Sequence, residues 1–111
     1  LPPRGVVGLE NRLGYVQGVF SYTRRPDLRH GRLLRIRDFV ALDLCGRAGA
    51  TQYLIAEIEA LSRALDCPAV EIDLPRNWAM RPQADGSVFS KFRQDGHEID
   101  AVLLSKVVAD P

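Results

Sequence analysis

Residues 38–74, DFVALDLCGRAGATQYLIAEIEALSRALDCPAVEIDL, restrict the fold more tightly than any other part of the chain. Residues 39–44 are apolar apart from Asp43 and run into Gly46-Arg47-Ala48-Gly49-Ala50-Thr51, a stretch small enough for backbone N–H groups to approach a ligand closely. A helix follows, because Leu54, Ile58, Leu61 and Leu65 recur at helical spacing while Glu57, Glu59 and Arg63 fall on other faces. Asp66-Cys67-Pro68 ends it. Val70, Ile72 and Leu74 then alternate with Glu71 and Asp73, the period of a half-buried strand that can lie parallel to the first after a crossover. The reading is a βαβ unit whose helix starts from a glycine-bearing loop. Such a start exposes unpaired N–H groups and the positive end of the helix dipole, and so favours an anion, usually a phosphate.

Two standard phosphate loops fail here. A Walker loop needs a Lys after its second glycine, and the turn has none; a dinucleotide fingerprint needs G-x-G-x-x-G, and Gly46 and Gly49 do not have that spacing.

The segments before this unit read as an antiparallel meander. Val6, Val7, Gly8 and Leu9 form a short candidate strand that stops at the turn signal Glu10-Asn11-Arg12. Residues 15–22 are aromatic and β-branched, with Gly18 marking a bulge. Residues 23–31 read as a polar connection. A long strand follows from Arg32, with Leu34, Ile36, Asp38 and Val40 on one face and Arg35, Arg37 and Phe39 on the other. The fold class is thus α/β (α+β), with a mixed, mainly antiparallel sheet, one major helix and a single domain over residues 1–111. Ligands in such sheets favour the carboxyl ends of parallel strands.

Residues 75–86 hold two prolines, and Trp78 and Met80 in that loop either cap the core or line a pocket. A short helix is expected over 87–94, with Asp85 as N-cap and Gly96 beyond its end. Residues 101–109 are expected to finish the domain as a buried strand.

Charge and cysteine content exclude several functions. The formal net charge is +1, which gives no global field for nucleic acid or membrane, and no apolar run is long enough to span a bilayer. No signal peptide opens the chain, so a cytoplasmic location is expected. Thirteen arginines against two lysines match a GC-rich, bacterial genome. Arg24, Arg25, Arg29, His30, Arg32, Arg35 and Arg37 could bind phosphates, but they carry no interleaved aromatic platforms, and alternate arginines on a sheet commonly form its solvated face. Cys45 and Cys67 lie at opposite ends of the expected helix, roughly 20 Å apart and beyond disulfide reach. Two cysteines and two scattered histidines offer no metal-binding spacing.

The central stretch resembles the acyl-coenzyme-A loop of the GNAT superfamily of N-acetyltransferases, whose pattern is [RQ]-x-x-G-x-[GA] ahead of a long amphipathic helix. Gly49 matches the pattern outright. Gly46 stands where the family has Arg or Gln, Thr51 where it has Gly or Ala, and Leu54-Ile55 take the place of its leucine pair. Phe92 to Glu98 and Leu104 to Val108 resemble the family's closing elements. The resemblance implies transfer of an acetyl group from acetyl-CoA to a primary amine by direct attack in a ternary complex, with no metal, and leaves room for a homodimer. It implies that main-chain groups of Val40, Ala41, Leu42 and Leu44 pair with the pantetheine. Backbone amides of Cys45, Gly46, Arg47, Ala48, Gly49, Ala50 and Thr51 would hold the pyrophosphate. It further implies that Asp38 is the base that takes a proton from the amine. Phe92 stands where the family often has a proton-donating Tyr, and His97 is the nearby titratable alternative. The family's first strand and first two helices would precede residue 1. The degenerate loop and Phe92 motivate a second expectation: a non-catalytic module that keeps the fold and regulates a partner.

Overall fold

The computed structural model describes residues 2–42, 49–74 and 88–99, together with 104, 106 and 108. Three strands, β1 (Arg4–Glu10), β2 (Val16–Asp27) and β3 (Gly31–Ala41), form the expected antiparallel meander. The helix α1 (Gly49–Ala64) returns the chain to β4 (Ala69–Ile72), which pairs parallel to β3 from Leu33↔Ala69 to Ile36↔Ile72. The sheet order is β1-β2-β3-β4, and a second helix, α2 (Val88–Gln94), follows.

Local chemistry accounts for the joints. The first turn is tied by Asn11, whose Oδ1 accepts from the N–H groups of Leu13 (2.9 Å) and Tyr15 (3.0 Å). In the second hairpin Asp27 accepts from the His30 N–H at 2.9 Å, and Gly31 sits at φ +82°. The polar residues 23–27 therefore extend β2 and are not the connection that their composition suggests. Only residues 28–30 turn, since a side-chain-capped turn fixes the register and β3 supplies partners beyond the end of β1.

Both helices end in a Schellman pattern. The Cys67 N–H donates to Ser62 O (2.8 Å) and the Asp66 N–H to Arg63 O (3.1 Å); His97 and Gly96 do the same to Phe92 O and Arg93 O. Arg24 and Arg32 reach from the sheet to the α1 C-terminus, donating to Leu65 O (3.3 Å) and Asp66 O (2.9 Å), and Arg32 also pairs with the Asp66 carboxylate. Two members of the arginine cluster thus neutralise a helix C-terminus, where cations are favoured.

The core lies between the sheet and the two helices. Phe20 and Tyr22 of β2, Leu34, Ile36 and Phe39 of β3, Leu54, Ile55 and Ile58 of α1, and Phe92 of α2 are buried together. Phe39 links the layers, stacking near Phe20 (6.5 Å between centroids) and meeting Phe92 edge-on at 5.0 Å. The expected bulge is present on β2, where Leu9 pairs with Gly18 and Glu10 with Val16, leaving Gln17 as the extra residue next to Gly18. A Cβ on Gly18 would stand 2.5 Å from Leu54 Cδ1 and 3.1 Å from Val40 O, so the missing side chain is what lets α1 settle onto the sheet. Leu104 and Val108, expected in a buried strand, are exposed and lie outside any strand. Among the described residues β4 is an edge strand, with no partner on its outer side. Asp85, Trp78, Met80 and Cys45 fall outside the described residues.

Candidate active site

The site is organised by an irregularity in β3. Val19 pairs with Val40 and Ser21 with Arg37, so one β2 residue opposes two of β3, and the extra residue is carried by Asp38 and Phe39. Asp38 takes φ +55°, a region that Asp tolerates better than most residues. The insertion reverses the pleat. Leu34 and Ile36 face the helices, but Phe39 then takes the next inward position, and Asp38 and Val40 are exposed. This corrects the expected assignment of Asp38 and Val40 to the face of Leu34 and Ile36: strict alternation holds only until a residue is added.

Asp38 accepts a hydrogen bond from Ser21 Oγ at 3.0 Å, while the same hydroxyl lies 3.1 Å from Arg37 O. Ser21 alternates with the inward Phe20 and Tyr22, so the contact places the Asp38 carboxylate on the sheet face away from α1. Three ion pairs occupy that face. Arg35, largely buried, donates to Glu71 (2.8 Å) and Asp73 (3.0 Å) of the neighbouring strand segment, and Arg37 Nε lies 3.3 Å from the same Asp73 oxygen. Arg35 and Arg37 are therefore paired rather than simply solvated. The signal for this was present in the sequence as Arg-x-Arg on one strand facing Glu-x-Asp on its parallel neighbour, and reading each strand alone missed it.

Past Ile36, β3 has no second partner strand among the described residues. The last β4 contact is Asp73 N–H to Ile36 O at 3.1 Å. On the other side β2 continues, since the Leu42 N–H donates to Gln17 O at 2.8 Å. Backbone groups of successive strand residues point to opposite sides, so Ala41 turns its N–H and C=O towards the side that β4 has left. The chain next enters α1 at Gly49. Gly49, Ala50 and Thr51, expected in the loop, form the first turn of the helix, the end at which the helix dipole is positive. Gly49 is exposed, whereas Ala50 and Thr51 turn their side chains into the core. Contact of Leu54 with the Gly18–Val40 region seats this end of α1 over the bulged end of β3. Asp38, Val40, Ala41 and Leu42 thus follow one another at the end of β3, with the Asp38 carboxylate on the face away from α1, and residues 49–51 begin α1; Leu44, Cys45, Gly46, Arg47 and Ala48 lie outside the described residues.

Phe92, in the position of the expected proton donor, is a core residue, and His97 packs edge-on against it at 5.0 Å with Nδ1 3.4 Å from Asp95. That contact lacks hydrogen-bond geometry, leaving the buried Nδ1 without a hydrogen-bond partner. Cys67 is a free thiol at the opposite end of α1, with burial pushing its pKa up. Beside it a cavity of about 550 Å³ is lined by His30, Arg32, Ser62, Arg63 and Asp66. Among the described residues no three His, Cys, Asp or Glu side chains gather as metal ligands, and no helix is long and apolar enough to cross a membrane.

No family model matches the chain, and no curated protein matches it significantly. Solved structures do. An acetyltransferase from Trypanosoma brucei superposes with a TM-score of 0.70 at 17% identity, covering 96% of this chain and 70% of its own. Glucosamine-6-phosphate N-acetyltransferase from Arabidopsis thaliana gives 0.70 at 13%, over 96% and 68%. The chain has the fold of the GNAT acetyltransferases. A transcriptional regulator from Bacillus halodurans gives 0.75 at 15% identity, over 96% of this chain and 67% of its own, so likeness in this fold reaches proteins described by other roles.

Proposed function

We propose that the protein transfers an acetyl group from acetyl-CoA to a primary amine. The observation that carries this reading is the divergence of β4 from β3 beside the bulge, which leaves the Ala41 backbone unpaired on that side among the described residues and leads directly to the N-terminus of α1. An extended pantetheine arm carries amides that can complete the interrupted ladder. The amides of Gly49, Ala50 and Thr51, with those of Cys45, Gly46, Arg47 and Ala48, take the pyrophosphate at the helix N-terminus. Val40 and Leu42 turn their backbone groups towards β2, so Ala41 is the described residue whose main chain is offered to the pantetheine.

The chemistry needs no side-chain nucleophile. The neutral amine attacks the thioester carbon, a C–N bond forms, the C–S bond breaks, and the thiolate leaves. Asp38, exposed on the sheet face away from the helices, receives the proton lost by the amine, directly or through water. Water supplies the proton to the thiolate, because Phe92 has none to give and its ring is buried. Positioning of the two substrates supplies most of the rate.

The test is thiol release from acetyl-CoA with a panel of primary amines, for the wild type and Gly49→Asp. A Cβ at Gly49 meets nothing within 4 Å, and a carboxylate in the first turn suits the helix dipole, so the variant is expected to fold with undiminished stability. Its negative charge faces the pyrophosphate, and turnover should fall at least tenfold through weaker coenzyme binding. Unchanged turnover in a folded Gly49→Asp would remove the loop from the site. Coenzyme binding without turnover on any amine would favour a regulatory module.

A further inference from the structure

From Arg37 and its surroundings we infer that the acceptor amine carries an oxyanion, a carboxylate or a phosphate, a few bonds from the reacting nitrogen, and that Arg37 binds it. This rests on the acetyl-transfer reading and names its substrate class. Arg37 directly precedes Asp38, and because of the bulge both side chains are exposed. Its neighbours differ from it in a telling way. Arg35 is largely buried, and both of its terminal nitrogens are taken by Glu71 and Asp73. Arg37 is 56% exposed and contributes only its Nε, to Asp73 at 3.3 Å.

That single contact holds one edge of the guanidinium against β4. Among the described residues the two terminal nitrogens of Arg37 have no hydrogen-bond partner, and they form the fork that fits a carboxylate or phosphate in bidentate fashion. Asp73 is fixed in turn by Arg35, so the Arg37 edge is braced by a pair that is itself braced. Beside it Ser21 holds Asp38, the group that would receive the proton. The face therefore offers a cationic fork and an anionic base next to each other, complementary to a zwitterion whose ammonium group approaches Asp38 while its anionic group meets Arg37. A neutral amine uses half of this arrangement, and a diamine places its second charge against Arg37.

The experiment compares matched acceptors in the thiol-release assay: β-alanine and 2-aminoethyl phosphate as the two oxyanion types, propylamine as the neutral chain and ethylenediamine as the cationic one. The thermal midpoint with acetyl-CoA is recorded in parallel. The wild type should favour at least one oxyanion amine over propylamine by about 10–100-fold in kcat/KM, the range expected of a charge-assisted bidentate contact, and the preferred one identifies the anion. Arg37→Gln should abolish that preference mainly through KM, and Arg37→Glu should reverse it towards ethylenediamine. Equal use of propylamine and both oxyanion amines, or a preference that survives in Arg37→Gln, overturns the assignment while a coenzyme-induced shift leaves acetyl transfer standing. Absence of both the shift and turnover removes the acetyl-transfer reading and the acceptor assignment with it.

Discussion

Residues 33–36 of β3 have a strand on each side, alternate regularly, and bury Leu34 and Ile36 completely. Among the described residues, 37–41 of the same strand have β2 on one side only, contain an added residue, and expose Arg37, Asp38 and Val40. One strand thus contains a structural half and a chemical half, separated by a single aspartate in a left-handed conformation. In the first half the backbone spends its hydrogen-bonding groups within the sheet, and the arginines are engaged with carboxylates on β4. In the second, the same types of groups are presented outwards. A ligand can be gripped by a sheet only where the sheet has stopped satisfying itself.

The largest effect that would break this contrast is expected from Leu34→Ala. Leu34 is fully buried between two strands and the helices, and removing its side chain should cost about 3 kcal/mol in urea unfolding. A cost below about 1 kcal/mol would mean that the regular half is not the anchor described here. Gly18→Ala acts at the join. Its Cβ would press on Leu54 and on the Val40 carbonyl, so a loss of about 1–3 kcal/mol is expected together with weaker acetyl-CoA binding, as the start of α1 is pushed away from the bulged end of β3. Loss of stability with unaltered coenzyme affinity would separate the helix position from the site. The smallest effect on stability and the sharpest on function are expected from Asp38→Gly. Glycine accepts φ +55° freely, so stability should stay within about 1 kcal/mol of the wild type while turnover falls by roughly 10²–10⁴. Stability and turnover falling together would argue that Asp38 serves only the bulge.

The sequence made the meander, the amphipathic α1 and the parallel β4 legible, because each rests on a repeat of apolar residues that burial enforces. It misplaced what depends on one residue or on two strands at once. The faces of β3 after residue 37 were misread because an inserted residue leaves no mark in composition; an aspartate where an inward residue was due is the single hint. The bulge beside Gly18 in β2 was legible, but the room that Gly18 makes for Leu54 and the second bulge, on β3, were not. Residues 23–27 looked like a loop because they are polar, but a two-stranded extension that faces solvent needs no apolar face. Of the candidate site, the roles of Asp38 and of the stretch from Val40 are proposals that rest on a family resemblance. The pairing of Arg35 and Arg37 with Glu71 and Asp73 could have been found by aligning two strands that are far apart in sequence.

The central claim is that the open edge of β3 and the start of α1 together hold acetyl-CoA, and the most direct measurement is the thermal midpoint of the protein with and without about 1 mM acetyl-CoA. Ligand at one hundred times its dissociation constant adds roughly 2.7 kcal/mol, which in a domain of this size raises the midpoint by on the order of 10 °C. The account predicts a clear rise in the wild type and in Asp38→Gly, and little or none in Gly49→Asp. No rise in the wild type would contradict it.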